Sequence, residues 1–369
     1  MLGLYIHVPF CVSKCPYCDF YSLTGADDDL LDRYTAAVEA ALTHWREQVD
    51  GNADTLYFGG GTPSLLGGKR LARLIDCAAA LYGLRGAEIT LEANPADDLQ
   101  ETFRAFASAG GNRLSLGMQS ADRAELHALG RRHTHDQLQR AVEAAQAAGI
   151  DNYSFDLMLA TPRQTDASLV HSAAVCRTLG ASHVSAYLLK IEPNTPFAAA
   201  RDTLSLPDDD AAADRYLLAC AELEQAGYRQ YEISNFAVPG RESRHNLKYW
   251  DAQPYLGVGP AAHSFLNGQR LAYPRDLSAF LAGEPPEAET DDAIPAGSQA
   301  EYLLLRLRLT AGVTEEGWRA RFGESIPRRY YARASKLPSA LITADADGIR
   351  LTRQGCLVSN AVLTALLDE

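Results

Sequence analysis

Tyr5-Ile6-His7-Val8-Pro9-Phe10-Cys11-Val12-Ser13-Lys14-Cys15-Pro16-Tyr17-Cys18-Asp19-Phe20 is an apolar strand that runs directly into a loop bearing three cysteines. A loop with this spacing can wrap a cubane iron–sulfur cluster and give one thiolate to each of three irons. Such clusters are normally held by four thiolates. A three-thiolate set leaves one iron open, and the amino and carboxylate groups of a methionine can chelate it. A zinc site is the alternative, with His7 as a fourth ligand. Zinc sites usually pair two C-x2-C knuckles or place histidines at set spacing, and no second knuckle follows here. Three unrelated core thiols form the third reading, but Ser13, Lys14, Pro16 and Tyr17 break any apolar pattern. Cys77, Cys176, Cys220 and Cys356 do lie in apolar surroundings and read as core.

Strand-like runs recur downstream at 3–8, 53–58, 88–92, 113–117, 153–158 and 183–189. Each is short, rich in Val, Ile, Leu, Tyr or Phe, and bounded by Gly, Pro or a polar residue. Helical patterns fall between them at 28–48, 68–82, 98–109, 134–148, 166–179 and 208–226. Alternating βα units imply a parallel sheet with right-handed crossovers. Six units stop short of a closed eight-stranded barrel, so the fold class is α/β: an open, partial (β/α)6 barrel of TIM type. Its open side would admit a large substrate or partner.

The chain divides into a barrel over 1–235, an irregular connecting segment over 236–297 and a small α+β unit over 298–369. Residues 228–290 look irregular, and 283–297 read as a Pro-, Glu-, Asp- and Ala-rich linker. The last unit combines helices at 299–310, near 314–316 and at 327–337 with a hairpin that turns at Asp347-Gly348. With a helical tail at 355–367, it resembles a winged helix. DNA binding is disfavoured by the net charge of −13, because phosphate contacts want a basic surface; docking or a lid is the better role. Asp27-Asp28-Asp29 complements the dipole of the first helix.

Seven cysteines, an odd number beside a cluster motif, point to a reducing cytoplasm rather than a disulfide framework. No run reaches the roughly 18 apolar residues of a membrane span, and the first ten residues lack a charged signal-peptide region.

In such barrels chemistry gathers at the carboxyl ends of the strands, where the polar motifs of this chain fall. Gly59-Gly60-Gly61-Thr62-Pro63 follows the second strand, and its backbone can approach a ligand closely and offer carbonyls to an ammonium. Glu92, in Leu91-Glu92-Ala93-Asn94-Pro95, can take a ribose diol or an ammonium, or can be a solvated strand end. Gln119 and Asp156 pose the same choice. An Asp between aromatic and aliphatic strand residues is costly to bury without a partner. Arg131, beside Arg132, is a candidate carboxylate contact. His245, in His245-Asn246-Leu247-Lys248-Tyr249-Trp250, could ligate haem iron under aromatic cover, with His263 as a second candidate; a lone histidine is otherwise structural.

Together with Tyr231-Glu232-Ile233-Ser234-Asn235-Phe236, these motifs resemble the coproporphyrinogen-dehydrogenase-like branch of the radical S-adenosylmethionine (SAM) superfamily. Within that branch they resemble the HemW-type haem chaperones. The resemblance covers nearly the whole chain. It implies a [4Fe–4S] cluster on Cys11, Cys15 and Cys18, with Tyr5, Gly60 and Glu92 around a cluster-bound SAM. Tyr17, Gly61, Thr62, Gln119, Arg131 and Asp156 match positions that surround a second SAM in the dehydrogenase, and His245 would lie near bound haem. The implied partner is a haem-acceptor protein. The rival is an oxygen-independent coproporphyrinogen III dehydrogenase, a radical SAM oxidative decarboxylase; a third class is a scaffold with a zinc-stapled loop. Phe20 stands where the dehydrogenase pattern has a fourth cysteine, and the first strand starts at residue 3 without that enzyme's preceding extension. Both departures favour the chaperone. At the fifth strand Leu159-Ala160-Thr161-Pro162-Arg163 replaces the family's Tyr-Gly-Leu-Pro-Gly, which narrows the room for a ligand there.

Overall fold

The computed structural model describes residues 1–289 and 294–367. Part of the expected linker, 290–293, lies outside the described residues. The six expected strands form: β1 (Leu2–Val8), β2 (Ala53–Gly60), β3 (Glu88–Ala93), β4 (Arg113–Gln119), β5 (Tyr153–Leu159) and β6 (His183–Leu188). They pair in parallel and in chain order. Helices between them pack on the outside. Asp27 caps the first (Asp28–Arg46) by accepting from the Leu30 N–H at 2.9 Å, as the acidic run suggested.

Period-two alternation builds the barrel wall. Leu4, Ile6 and Val8 of β1, Leu56 and Phe58 of β2, and Leu114 and Leu116 of β4 are fully buried in the main apolar core. Burial of each such side chain contributes roughly 1.5–3 kcal/mol. The alternate residues are polar and face inward. His183 of β6 shares a hydrogen bond with Ser154 of β5 at 2.7 Å, and its other ring nitrogen meets the Tyr231 hydroxyl at 2.8 Å.

The stretch 228–290 is more regular than its composition suggested. Asn235–Ala237 forms β7 and pairs antiparallel with β6. Tyr255–Val258 forms β8 and pairs in parallel with β1, with Gly3 opposite Tyr255. His263–Leu266 (β9) and Gln269–Ala272 (β10) continue outward, and with Arg229–Gln230 and Glu287–Ala288 at the two edges they complete one sheet of 12 strands. The many Gly and Pro residues here are turns between short strands, so a window average hid the strands. The sheet is open: its edge strands do not pair with each other among the described residues.

In the C-terminal unit, helices Gln299–Arg306, Glu315–Phe322 and Arg328–Ala334 pack with a three-stranded sheet made from Val313–Thr314, Ile342–Asp345 and Gly348–Leu351. Trp318, fully buried, centres its core. The first of these helices ends short of the expected 310, and the tail divides into Arg353–Leu357 and Ser359–Leu367. The unit is tied to the barrel at residues 231–233: Ile233 N–H donates to the Arg308 carbonyl at 3.1 Å and Thr310 N–H to the Tyr231 carbonyl at 3.0 Å.

The turn after β5 keeps a glycine-like backbone without glycine. Ala160 has φ 58° and Arg163 φ 70°, a left-handed conformation that costs an L-residue roughly 1–2 kcal/mol. Buried Gln164 holds it: Ala160 N–H donates to its side-chain carbonyl at 2.6 Å, and its amide donates to the Met158 carbonyl at 2.9 Å. The turn is therefore retained at the cost of strain. Ala160→Gly should raise unfolding stability by about 0.5–1 kcal/mol, the relief of strain being partly offset by the entropy of glycine in the unfolded chain. Denaturant titration checks this.

Candidate functional site

A cavity of about 480 Å3 opens at the carboxyl ends of the strands and extends into the barrel. Cys11, Cys15 and Cys18 all line it, and all seven cysteines of the chain are free thiols. The Thr62 hydroxyl lies 3.6 Å from Cys11 Sγ and the Arg131 guanidinium 3.5 Å from Cys15 Sγ. Burial pushes the Cys18 thiol up. Among the described residues no three His, Cys, Asp or Glu side chains converge to hold a single metal ion. Three soft sulfur donors around one cavity are a donor set that suits an iron–sulfur cluster with a separate iron for each thiolate.

The glycines after β2 are required first by the protein itself. A Cβ on Gly61 would sit 2.6 Å from the Phe10 carbonyl oxygen, and one on Gly60 (φ 113°) would sit 2.8 Å from the His7 ring. Their absence of side chains lets the cysteine loop rest on β2. Gly61 N–H donates to the Val8 carbonyl at 2.8 Å and Thr62 N–H to the Phe10 carbonyl at 2.7 Å. Gly60, Gly61 and Thr62 still line the cavity.

Two carboxylates face the cavity below the thiols. Glu92 accepts from the Tyr57 hydroxyl at 2.8 Å and the Gly60 N–H at 3.2 Å. Burial, then the charge of Asp156, lifts its pKa to about 7. Asp156 accepts from the Ser115 hydroxyl at 3.3 Å. Burial lifts it to about 6. Such acids are held ready for a cation or a polar hydroxyl pair. Gln119 lines the same cavity from a left-handed backbone (φ 64°). Of the two adjacent arginines, Arg131 turns inward and donates to the Gly117 carbonyl at 2.8 Å, while Arg132 is exposed. Tyr17 lines the wall and packs on Phe197 with ring centroids 6.0 Å apart.

Two expected residues lie elsewhere. Tyr5 does not line the cavity; its hydroxyl meets His7 Nδ1 at 3.1 Å and its ring packs near Tyr57 and His245. His245 is also absent from the wall and only 1% exposed. Its Nδ1 meets the Thr55 hydroxyl at 2.8 Å and its Nε2 the Tyr249 hydroxyl at 2.8 Å. Burial first, then Lys248 and Arg113, lowers its pKa to about 3. A neutral, enclosed imidazole with both nitrogens engaged does not fit an axial ligand to haem iron. His263 is exposed, and its Nδ1 is 3.1 Å from Glu289.

Tyr57, Arg113, Ser115, Ser185 and Asn246 also line the cavity. The first four share a signal that sequence reasoning passed over: they sit on the inward parity of their strands, in step with Glu92 and Asp156. Asn246, immediately after His245, is the member of its motif that reaches the cavity.

The architecture is that of radical SAM proteins: residues 5–176 match the radical SAM superfamily, which implies a [4Fe–4S] cluster and SAM. A solved structure of coproporphyrinogen III oxidase (HemN) from Escherichia coli shares the fold, with a TM-score of 0.83 at 21% identity, covering 100% of this chain and 90% of that one. Haem chaperone HemW of Mycobacterium tuberculosis is 38% identical over 375 residues, covering 99% of this chain and 94% of the relative. Haem chaperone HemW of Bacillus subtilis is 34% identical over 380 residues, with 100% of both chains covered. The chain belongs to the HemW family.

The two raised carboxyl groups set a pH dependence. Inside the folded barrel each holds its proton above the values of 4.5 and 3.8 usual for Glu and Asp. Between those values and about 7 these two groups bind more protons in the native state than in the unfolded chain, so their contribution to stability falls as pH rises, while buried His245, with its lowered pKa, acts in the opposite direction. Glu92→Gln should flatten the upper part of that fall. The difference in melting temperature between wild type and Glu92→Gln, followed against pH for the ligand-free protein, tests the sign.

Proposed function

We propose that the protein is a haem chaperone that holds a [4Fe–4S] cluster on Cys11, Cys15 and Cys18, binds SAM at the open iron, and delivers haem to an acceptor protein. The observation that carries this reading is the gathering of three free thiols, the Gly60-Gly61-Thr62 turn and two raised carboxyls around one cavity. When bound, the cluster would supply a Lewis-acidic iron for the amino and carboxylate groups of SAM. Glu92 and Asp156 offer the negative charge that a sulfonium or ammonium wants, and the Gly60-to-Thr62 backbone lies within reach. Gln119, Arg131 and Tyr17 would line a second SAM position in the same cavity. Tyr5 would act from beneath by packing against Gly59, whose Cβ position is 2.9 Å from the Tyr5 ring.

The haem part rests on the family and on the cavity mouth, not on His245. Phe20 is 66% exposed and Tyr187 41% exposed, and both line the cavity. They offer aromatic faces to a flat apolar ligand. Phe20 is also the position where a dehydrogenase would carry a further thiol. No helix among the described residues is long and apolar enough to cross a membrane, and the free thiols suit a reducing cytoplasm.

Anaerobic haem titration of the cluster-loaded protein should give a saturable Soret shift; a spectrum equal to free haem would end this reading. His245→Ala should lower stability by about 1–3 kcal/mol, through the two hydroxyls it leaves buried without partners, and should leave the position of the haem-bound Soret band unchanged. A displaced band would restore the imidazole as an iron ligand. Robust formation of 5′-deoxyadenosine with consumption of coproporphyrinogen would instead establish the decarboxylase.

A further inference from the structure

Arg113 opens β4 and lies inside the barrel, on the wall of the same cavity. Its residue is 2% exposed, and Nε is buried with no hydrogen-bond partner. Among the described residues the guanidinium enters no ion pair and no side-chain hydrogen bond. Other partly shielded arginines whose Nε is also buried without a partner still engage their terminal nitrogens: Arg131 donates to the Gly117 carbonyl at 2.8 Å and Arg308 to Asn360 at 3.2 Å.

The acids nearest Arg113 in charge terms are already occupied by neutral donors. Glu92 is held by Tyr57 and Gly60, and Asp156 by Ser115. The positive charge of Arg113 acts on both, lowering their pKa values against the larger effect of burial. Neither closes on it. Burying a cation without a partner is expensive. A guanidinium presents five donors in a rigid fork that matches a carboxylate in two-point contact. A guanidinium with a buried, unpartnered Nε at the wall of a ligand cavity is the arrangement expected of a site completed by its ligand.

We propose that Arg113 anchors a carboxylate of the bound ligand deep in the cavity. This rests on the reading of the cavity as the site of SAM and haem, and it deepens that reading by naming the group recognised. Two ligands could bring the carboxylate: the amino-acid end of the second SAM, the one not chelated to the open iron, or a propionate arm of haem entering from the mouth. The neighbouring Glu92 and Asp156 would then take positive charge on the same ligand, so the barrel wall would read a pair of opposite charges.

The test pairs ligands that differ only at the carboxylate. Affinities of wild type and Arg113→Gln, both cluster-loaded under anaerobic conditions, are measured for SAM against decarboxylated SAM, and for haem against haem dimethyl ester. Loss of a charge-assisted two-point contact should weaken the acid form about tenfold or more and leave its partner within about twofold. A selective loss in the first pair assigns the carboxylate to SAM; in the second, to haem. Equal losses within each pair, or none in either, overturn the proposal and leave Arg113 as a residue solvated by cavity water. If Arg113→Gln fails to fold, Arg113→Lys, which keeps the charge and loses the fork, carries the same comparison with the same outcomes. A wild type that binds no haem ends the chaperone reading, yet the SAM pair still decides Arg113.

Discussion

Six parallel strands alternate between an apolar outward face and a polar inward one, and everything else in the structure depends on that alternation. Outward, Leu4, Ile6, Val8, Leu56, Phe58, Leu114 and Leu116 bind the helices to the sheet. Inward, the polar groups are tolerable only because most satisfy one another: Thr55 with His245, Ser154 with His183, Tyr57 with Glu92. A one-residue slip in any strand would exchange the two faces. It would put carboxylates against helices and leucines in the cavity. The register therefore fixes the chemistry of the site as firmly as it fixes the core.

The motif over residues 245–250 belongs to this inward system. His245 packs on Tyr57 with ring centroids 5.2 Å apart, and Tyr57 holds Glu92. Lys248, 3% exposed, pairs with Asp54 at 2.6 Å and donates to the Met1 carbonyl at 3.0 Å. Gly3 leaves room for it, since a Cβ there would meet the Lys248 chain at 2.8 Å. The short helix thus closes the amino-terminal end of the barrel and steadies the residue that carries Glu92. Through Tyr57 it bears on the placement of a cavity carboxylate.

Much of this was readable in the residues. The βα alternation gave six strands close to their observed positions, and the rule that polar residues collect at strand ends picked out the thiols, the glycine turn, Glu92, Gln119 and Asp156, all of which line the cavity. Two kinds of feature escaped. Short strands among turns, such as Tyr255–Val258, are held by pairing with β1, a partner 252 residues away in sequence by the register of Gly3 and Tyr255 that no local pattern announces. Burial of a polar group depends on its partners as well as its own type. His245 with aromatic neighbours reads equally as a ligand or as a core residue until Thr55 and Tyr249 are seen beside it. Arg113 was hidden for the opposite reason: within Asn112-Arg113-Leu114 it looks like a solvated strand start, and only the folded barrel shows that its Nε is buried without a partner.

The central claim is that three thiolates at the mouth of this barrel hold a cubane with one open iron. It is tested most directly by iron and acid-labile sulfide per chain after anaerobic preparation, with electron paramagnetic resonance of the reduced protein in the presence and absence of SAM. The account predicts about four irons and four sulfides per chain, loss of both in Cys15→Ala, and a change in the signal when SAM is added. Stoichiometric zinc without sulfide, or a cluster whose signal is indifferent to SAM, would contradict it.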